Sequence, residues 1–184
     1  MKFKKEIPTS FNEIKKLTKQ YDTLLNENKR IPPIKFMNYN MITKIDNLSS
    51  FMNRHPRLLI FYQTSPNNMG HWNALIKNKN NIYFFDSYGF FIEDILKDID
   101  INVNENYNQD FFYLSKLIYN EMSNGLTIFY NNKKLQGQPP IATCGLWTAY
   151  IFAFYDCNID KLISKLPKKN KDDYIVETSN MVFN

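Results

Sequence analysis

Cys144-Gly145-Leu146-Trp147-Thr148-Ala149-Tyr150-Ile151-Phe152-Ala153-Phe154-Tyr155 is apolar on nearly every side. A helix without a polar face has to be surrounded by other elements, so this stretch predicts a central, fully buried helix. The connection before it, 131–143, is polar and carries Pro139-Pro140, which places Cys144 in the first turn of that helix.

The partners of such a helix lie upstream. Ser10-Phe11-Asn12-Glu13 has the form of a capping box, and Ile14, Leu17, Tyr21, Leu24 and Leu25 follow at helical spacing, predicting a helix over about 10–28 that Ile31-Pro32-Pro33 ends. A weaker helical pattern spans 43–53. Leu58-Leu59-Ile60-Phe61-Tyr62, between Pro56 and Pro66, reads as a buried strand. Trp72 to Ile76 and Ile82 to Phe85 are two more strand-like runs. The polar residues 77–81 between them suit a hairpin turn. Helical patterns follow over 92–98 and 108–123, then a fourth strand over 126–130. The run 168–173 reads as solvated, and the tail after Pro167 as loosely packed. The expected fold class is α+β: a central, mostly antiparallel sheet packed against a buried helix. One domain over 1–184 is expected, with an N-terminal helical part (10–56), a core (57–157) and a C-terminal helix and tail (158–184).

Composition narrows the class. At 184 residues, with 43% hydrophobic and 16% aromatic residues, the chain can bury a core and is unlike a disordered one. It has no apolar run long enough to span a bilayer and no secretory leader pattern, so neither a membrane role nor secretion is expected. Cys144 and Cys157 support neither a disulfide framework nor a four-ligand zinc site; no metal or chemical cofactor is expected, and Cys157 reads as structural. The net charge of +5 is compatible with contact to a polyanion.

Three residues carry chemistry. A cysteine at a helix N-terminus faces the positive end of the dipole and unpaired backbone N–H groups, which stabilise negative charge on sulfur and on the oxyanion of a tetrahedral intermediate. Gly145 then leaves room for a substrate backbone. His71 opens one strand and Asp86 closes its neighbour, so in an antiparallel pair they come side by side. Each has an ordinary explanation alone: a buried cysteine, a core or surface histidine, a turn aspartate. Together they form the ordered nucleophile, base and orienting carboxylate of acyl transfer.

Gly70-His71-Trp72, Phe85-Asp86-Ser87-Tyr88-Gly89-Phe90, Leu135-Gln136-Gly137 and Thr143-Cys144-Gly145-Leu146 resemble, in order and context, the motifs of the adenovirus maturation protease (adenain-like) family. That family shares a papain-like fold with the SUMO-specific proteases and has relatives in virophages, large DNA viruses and virus-like transposons. The similarity covers roughly 58–157. It implies that Cys144 attacks the scissile carbonyl, His71 is the base and later protonates the leaving amine, Asp86 orients the imidazole, and a glutamine completes the oxyanion hole. Gln136 matches the adenovirus-type context but stands eight residues before Cys144, one more than in that enzyme. Gln138 stands six before, the spacing of the SUMO-protease branch. Gln136 is favoured, with Gln138 as the alternative. Trp72 reads as packing beside the base.

The resemblance implies a cysteine endopeptidase that cleaves capsid or other virion precursors during maturation, acting as a monomer in the virion and the infected cell. Isopeptidase action on ubiquitin-like modifiers is the alternative, acyl transfer a third, and a DNA-binding or virion structural protein a fourth. The adenovirus enzyme is activated by DNA and by a peptide disulfide-linked through a cysteine ahead of the nucleophile. No cysteine precedes Cys144 here, so a DNA or peptide activator stays open only without that covalent link.

Overall fold

The computed structural model describes residues 2–25, 31–66 and 69–183. Its centre is a five-stranded sheet in sequential order, β1 (Ile34–Asn38), β2 (Arg57–Gln63), β3 (Gly70–Asn78), β4 (Asn81–Asp86) and β5 (Thr127–Tyr130). β2, β3 and β4 are antiparallel and carry most of the pairing; β1 and β5 join the two sides in parallel. The β3–β4 turn is tighter than 77–81. Asn78 pairs with Asn81, leaving Lys79 and Asn80 as the turn, with Lys79 left-handed at φ 54°.

β1 lies inside the stretch expected to be helical. Its alternation in Ile34-Lys35-Phe36-Met37-Asn38 is only five residues long and half-buried, too short to register against the prolines before it. The helix α1 (Phe11–Leu25) forms with its capping box intact: the Ser10 N–H donates to Glu13 Oε2 at 2.7 Å, and the Glu13 N–H to Ser10 Oγ at 3.3 Å. Its expected end at 26–28 lies outside the described residues. The 43–53 pattern resolves into a 3-10 turn, Tyr39–Lys44, and α2 (Leu48–Arg54). The 92–98 pattern is a 3-10 turn at Asp94–Asp98, followed by α3 (Ile101–Asn106); α4 (Tyr113–Ser123) starts five residues later than its pattern.

Every residue of α5 (Cys144–Ala153) is buried, as its all-round apolarity requires. Strand alternation splits the core across the sheet. Leu59, Trp72, Ala74, Ile76 and Phe85 face α5 and α1, while Leu58, Ile60, Leu75, Ile82 and Phe84 pack with residues of α2 and α4. The C-terminal region is two helices, α6 (Ile159–Ser164) and α7 (Lys171–Phe183). The tail is not loosely packed: α7 contacts α1 and α5, with Ile175 and Ser179 fully buried. Among the described residues no helix is long and apolar enough to cross a membrane.

Candidate active site

In the β3–β4 register Asn73 stands opposite Asp86. His71 lies two residues along the same face, so His71 and Asp86 are diagonal neighbours. Their side chains meet: His71 Nε2 is 2.8 Å from Asp86 Oδ2, with both residues nearly buried. Asn73 Nδ2 donates to the same oxygen at 2.5 Å, and the Tyr88 N–H donates to Oδ1 at 2.6 Å. Asn131 holds the backbone behind it, accepting from the Asp86 N–H at 2.9 Å and donating through Nδ2 to the Asp86 carbonyl at 2.6 Å. The carboxylate is thus fixed at both oxygens before any substrate arrives.

Cys144 is the first residue of α5 and only 6% exposed. α5 packs on the opposite sheet face from His71 by alternation, so the two meet because the N-terminus of α5 and the first residues of β3 lie at the same end of the sheet. Cys144 lies near enough to the His71 imidazole to help raise its pKa. With Nε2 turned to Asp86, Nδ1 is the nitrogen left for sulfur. Burial alone would lower the histidine pKa, but the Asp86 charge and its hydrogen bond, together with Cys144, outweigh it and raise the imidazole to about 10. Burial likewise works against ionised Asp86, yet the imidazolium, Asn73 and the Tyr88 N–H hold the carboxyl below its ordinary value. Both directions describe an imidazolium paired with the Asp86 carboxylate.

The two candidate glutamines part here. Gln138 is exposed, whereas Gln136 is buried beside the β4 end. The Leu135 and Gln136 N–H groups both donate to the Ser87 carbonyl, at 2.8 and 2.9 Å. Ser87 Oγ donates to Gln136 Oε1 at 2.8 Å, and Gln136 Nε2 donates to the Ile141 carbonyl at 2.8 Å and to Tyr88 Oη at 3.1 Å. The Tyr88 ring stacks on His71, centroids 4.9 Å apart and planes 17° apart.

Some residues differ from their sequence reading. A Cβ on Gly145 would come within 2.8 Å of the Thr9 side chain and 3.0 Å of Ile14, so the glycine admits the N-terminal segment rather than a substrate. Cys157 is exposed beyond the end of α5, its sulfur 3.7 Å from Asp156 Oδ1, and is no core residue, because the helix stops at Ala153. Trp72 does pack: its ring lies 4.4 Å from Phe61, and Nε1 donates to the Thr9 carbonyl at 3.0 Å. Asp172, in the run read as solvated, accepts from the Gly137 N–H at 2.9 Å and from Thr143 Oγ1 at 2.5 Å. It joins the residue after Gln136 to the residue before Cys144. Asn73 was within reach of a period-two reading from His71; Asn131, Ser87 and Asp172 act across long sequence separations and leave no local pattern.

Two clefts open beside chain neighbours of these residues, though neither is lined by Cys144, His71 or Asp86 themselves. One, about 350 Å³, is lined by Phe36, Phe61, Gly70 and Trp72 among others. The other, about 360 Å³, is lined by Lys134, Gln136, Gly137, Lys171 and Asp172 among others.

No family model matches the chain. A curated relative, Uncharacterized protein V9 of Sputnik virophage, is 31% identical over 111 residues, 59% of this chain and 61% of that protein; the match thus spans less than two thirds of the relative. Among solved structures, the ASFV pS273R protease is similar with a TM-score of 0.53 at 11% identity, over 100% of this chain and 71% of that one. The C-terminal Ulp1 protease domain in complex with SMT3, the yeast ortholog of SUMO, gives 0.44 at 12% identity, over 97% and 77%. ChlaDub1 from Chlamydia trachomatis gives 0.43 at 13%, over 95% and 78%. The chain therefore shares its α+β fold with the ASFV pS273R protease.

Proposed function

We propose that this protein is a cysteine endopeptidase in which Cys144 is the nucleophile, His71 the general base and acid, and Asp86 the group that orients the imidazole. The observation that carries the reading is His71 held between the Asp86 carboxylate, at 2.8 Å, and a cysteine at the first turn of a buried helix. The thiolate attacks the scissile carbonyl, forming the C–S bond and moving the carbonyl electron pair onto oxygen. The backbone N–H of Cys144 is one oxyanion donor, and Gln136, the buried glutamine, marks the side-chain part of the hole in preference to exposed Gln138. Collapse expels the amine, which takes its proton from the imidazolium. His71 then deprotonates the water that hydrolyses the acyl-enzyme.

The substrate we assign is a viral capsid or virion precursor. Support comes from the virophage relative and from a fold shared with a protease named from ASFV. The isopeptidase alternative drew on the Gln138 spacing, and the exposure of that side chain weakens it.

The test is alkylation by iodoacetamide, with adducts located by mass spectrometry so that exposed Cys157 is counted separately. Cys144 should react at neutral pH in the wild type, and His71→Ala should slow that reaction by about 100-fold while leaving Cys157 unchanged. An inert Cys144, or one indifferent to His71, sinks the reading. Repeating the measurement with duplex DNA tests a polyanion as activator, and incubation with recombinant capsid precursor, using Cys144→Ala as control, tests the substrate.

A further inference from the structure

Asparagine is poorly suited to the place Asn73 holds. It is fully buried inside β3, paired with Ile60 on one side and Asp86 on the other, where strands favour apolar and β-branched residues. Its Oδ1 is buried and, among the described residues, accepts from no donor; an unpaired buried acceptor costs the fold free energy. The amide N–H groups point instead at β4: Nδ2 donates to Asp86 Oδ2 at 2.5 Å and reaches the Phe85 carbonyl at 3.4 Å. Turned over, the amide would set Oδ1 against Asp86 Oδ2, two acceptors that only a proton on the carboxyl could reconcile. The orientation that strands Oδ1 is the one an ionised Asp86 requires.

Resting on the cysteine-protease reading, we infer that Asn73 is a positioning residue of the triad, its amide N–H keeping Asp86 charged and Oδ2 turned to the imidazole throughout the reaction. Asp86 is 1% exposed, and its counter-ion is temporary. When His71 gives its Nδ1 proton to the leaving amine, the carboxylate stays buried beside a neutral ring. The Asn73 and Tyr88 N–H groups remain on its two oxygens, so the Nε2 proton stays on the imidazole and none passes to Asp86. The titratable groups facing Asp86 are His71 on β3, Tyr62 on β2, Tyr88 just beyond β4 and, past the imidazole, Cys144 on α5. Behind the phenols lie Glu93, which acts on Tyr62, and Lys134, 5.6 Å from the Tyr88 ring centre. Burial above all raises both phenols, Tyr88 to about 12 and Tyr62 well above its ordinary value, so both stay neutral while Asp86 titrates.

Asn73→Leu removes the donor with little change of volume. Asp86 should then take up a proton at higher pH, leaving burial to discharge the imidazole and quench the thiolate. The acid limb of Cys144 reactivity should move up by about one pH unit, a roughly 10-fold loss at a fixed pH on that limb that shrinks as the pH rises. Two reagents read it, with adducts located by mass spectrometry: iodoacetamide, a direct displacement, and p-nitrophenyl acetate, whose acylation passes through a tetrahedral oxyanion. Both start from the thiolate and should show the same displacement. Asn73→Asp asks whether the two side chains meet. Carboxyls in contact share one proton, so the second ionisation of the pair is raised, and a raised carboxyl pKa lends stability that is lost as pH rises. The urea midpoint of Asn73→Asp should therefore fall between about pH 4.5 and 6.5, where that of the wild type holds or rises. A wild-type acid limb in Asn73→Leu overturns the assignment, because Asn73 then only packs. A displacement in acylation alone overturns it too, by placing Asn73 at the oxyanion. Should Asn73→Leu fail to fold, Asn73→Asp decides alone: a midpoint that tracks the wild type across that range means that the side chains do not meet. A wild type whose Cys144 reacts with neither reagent removes the protease reading itself, and this inference with it, however the Asn73→Asp melts run.

Discussion

Asp86 shows how much of this site is electrostatic. Buried His71 would lose its proton to desolvation, and the adjacent carboxylate reverses the sign. A histidine whose folded pKa is raised from 6.5 to about 10 lends stability that is complete below about pH 6.5 and is lost as pH rises through 10. The lowered Asp86 pKa acts at the other end: its contribution is present above the ordinary carboxylate range and disappears as pH falls through the depressed value. Asp86→Asn keeps the volume and removes the charge. Burial then dominates at His71, so Cys144 alkylation at pH 7 should fall by roughly 10- to 100-fold, and the gain in stability between pH 10 and 6.5 should flatten. Urea melts across that range, beside alkylation rates, check both; an unchanged pH profile would mean that Asp86 only packs.

At the scale of elements, the site is assembled by the start of α7 as well as by β3, β4 and α5. Asp172 holds Gly137 and Thr143 on one carboxylate, so the loop bearing Gln136 and the turn before Cys144 move as a unit. Lys171 Nζ adds a bond to the Lys134 carbonyl at 2.9 Å, and the Ala142 N–H donates to the Lys5 carbonyl at 2.7 Å. Asp172→Ala leaves a buried Thr143 hydroxyl and a loop N–H without their acceptor, which destabilises by about 1–3 kcal/mol. It should also lower acylation of Cys144 more than alkylation, because the oxyanion side loosens more than the thiolate–imidazolium pair. Asp172→Asn, with one acceptor oxygen left, should recover part of both. Equal losses in the two reactions would make α7 a scaffold without a hand in the hole.

Across the whole molecule, a buried arginine ties the first helix to the sheet. Arg57, 3% exposed at the start of β2, binds Asp22 of α1 through both Nη atoms at 3.0 and 2.9 Å, donates through Nε to the Pro32 carbonyl at 2.8 Å, and reaches the Phe152 carbonyl near the end of α5 at 3.3 Å. Its guanidinium also lies 5.3 Å from the centre of the Tyr155 ring. Removing one partner of such a pair strands the other charge, so Arg57→Leu should cost about 3–5 kcal/mol. The urea midpoint should drop with the slope unchanged. Cys144 chemistry in the remaining folded fraction should persist, since Arg57 lies at the far end of β2 from the strand residue that pairs with His71. A loss of reactivity without a loss of stability would contradict this division.

Elements with a local pattern were legible from the chain alone: the all-round apolar helix with Cys144 in its first turn, the capping box of α1, and the hairpin that brings His71 and Asp86 together. Periodicity and caps are local chemistry, and these segments carry them strongly. β1 was not legible, because five half-buried residues after two prolines carry too little pattern and gain their strand identity only by pairing with β2. Gln136 was favoured over Gln138 on its local context although only Gln138 has a matching spacing, and their difference in burial, with Gln136 packed against Ser87 and Tyr88, was not legible in the chain. Asn73, Asn131, Tyr88 and Asp172 acquire their parts through hydrogen bonds with residues up to 48 positions away. Sequence set which side chains stand at the helix start and the strand ends; the packing of β4, the 131–143 connection and α7 around one end of the sheet decided how Cys144, His71 and Asp86 are held.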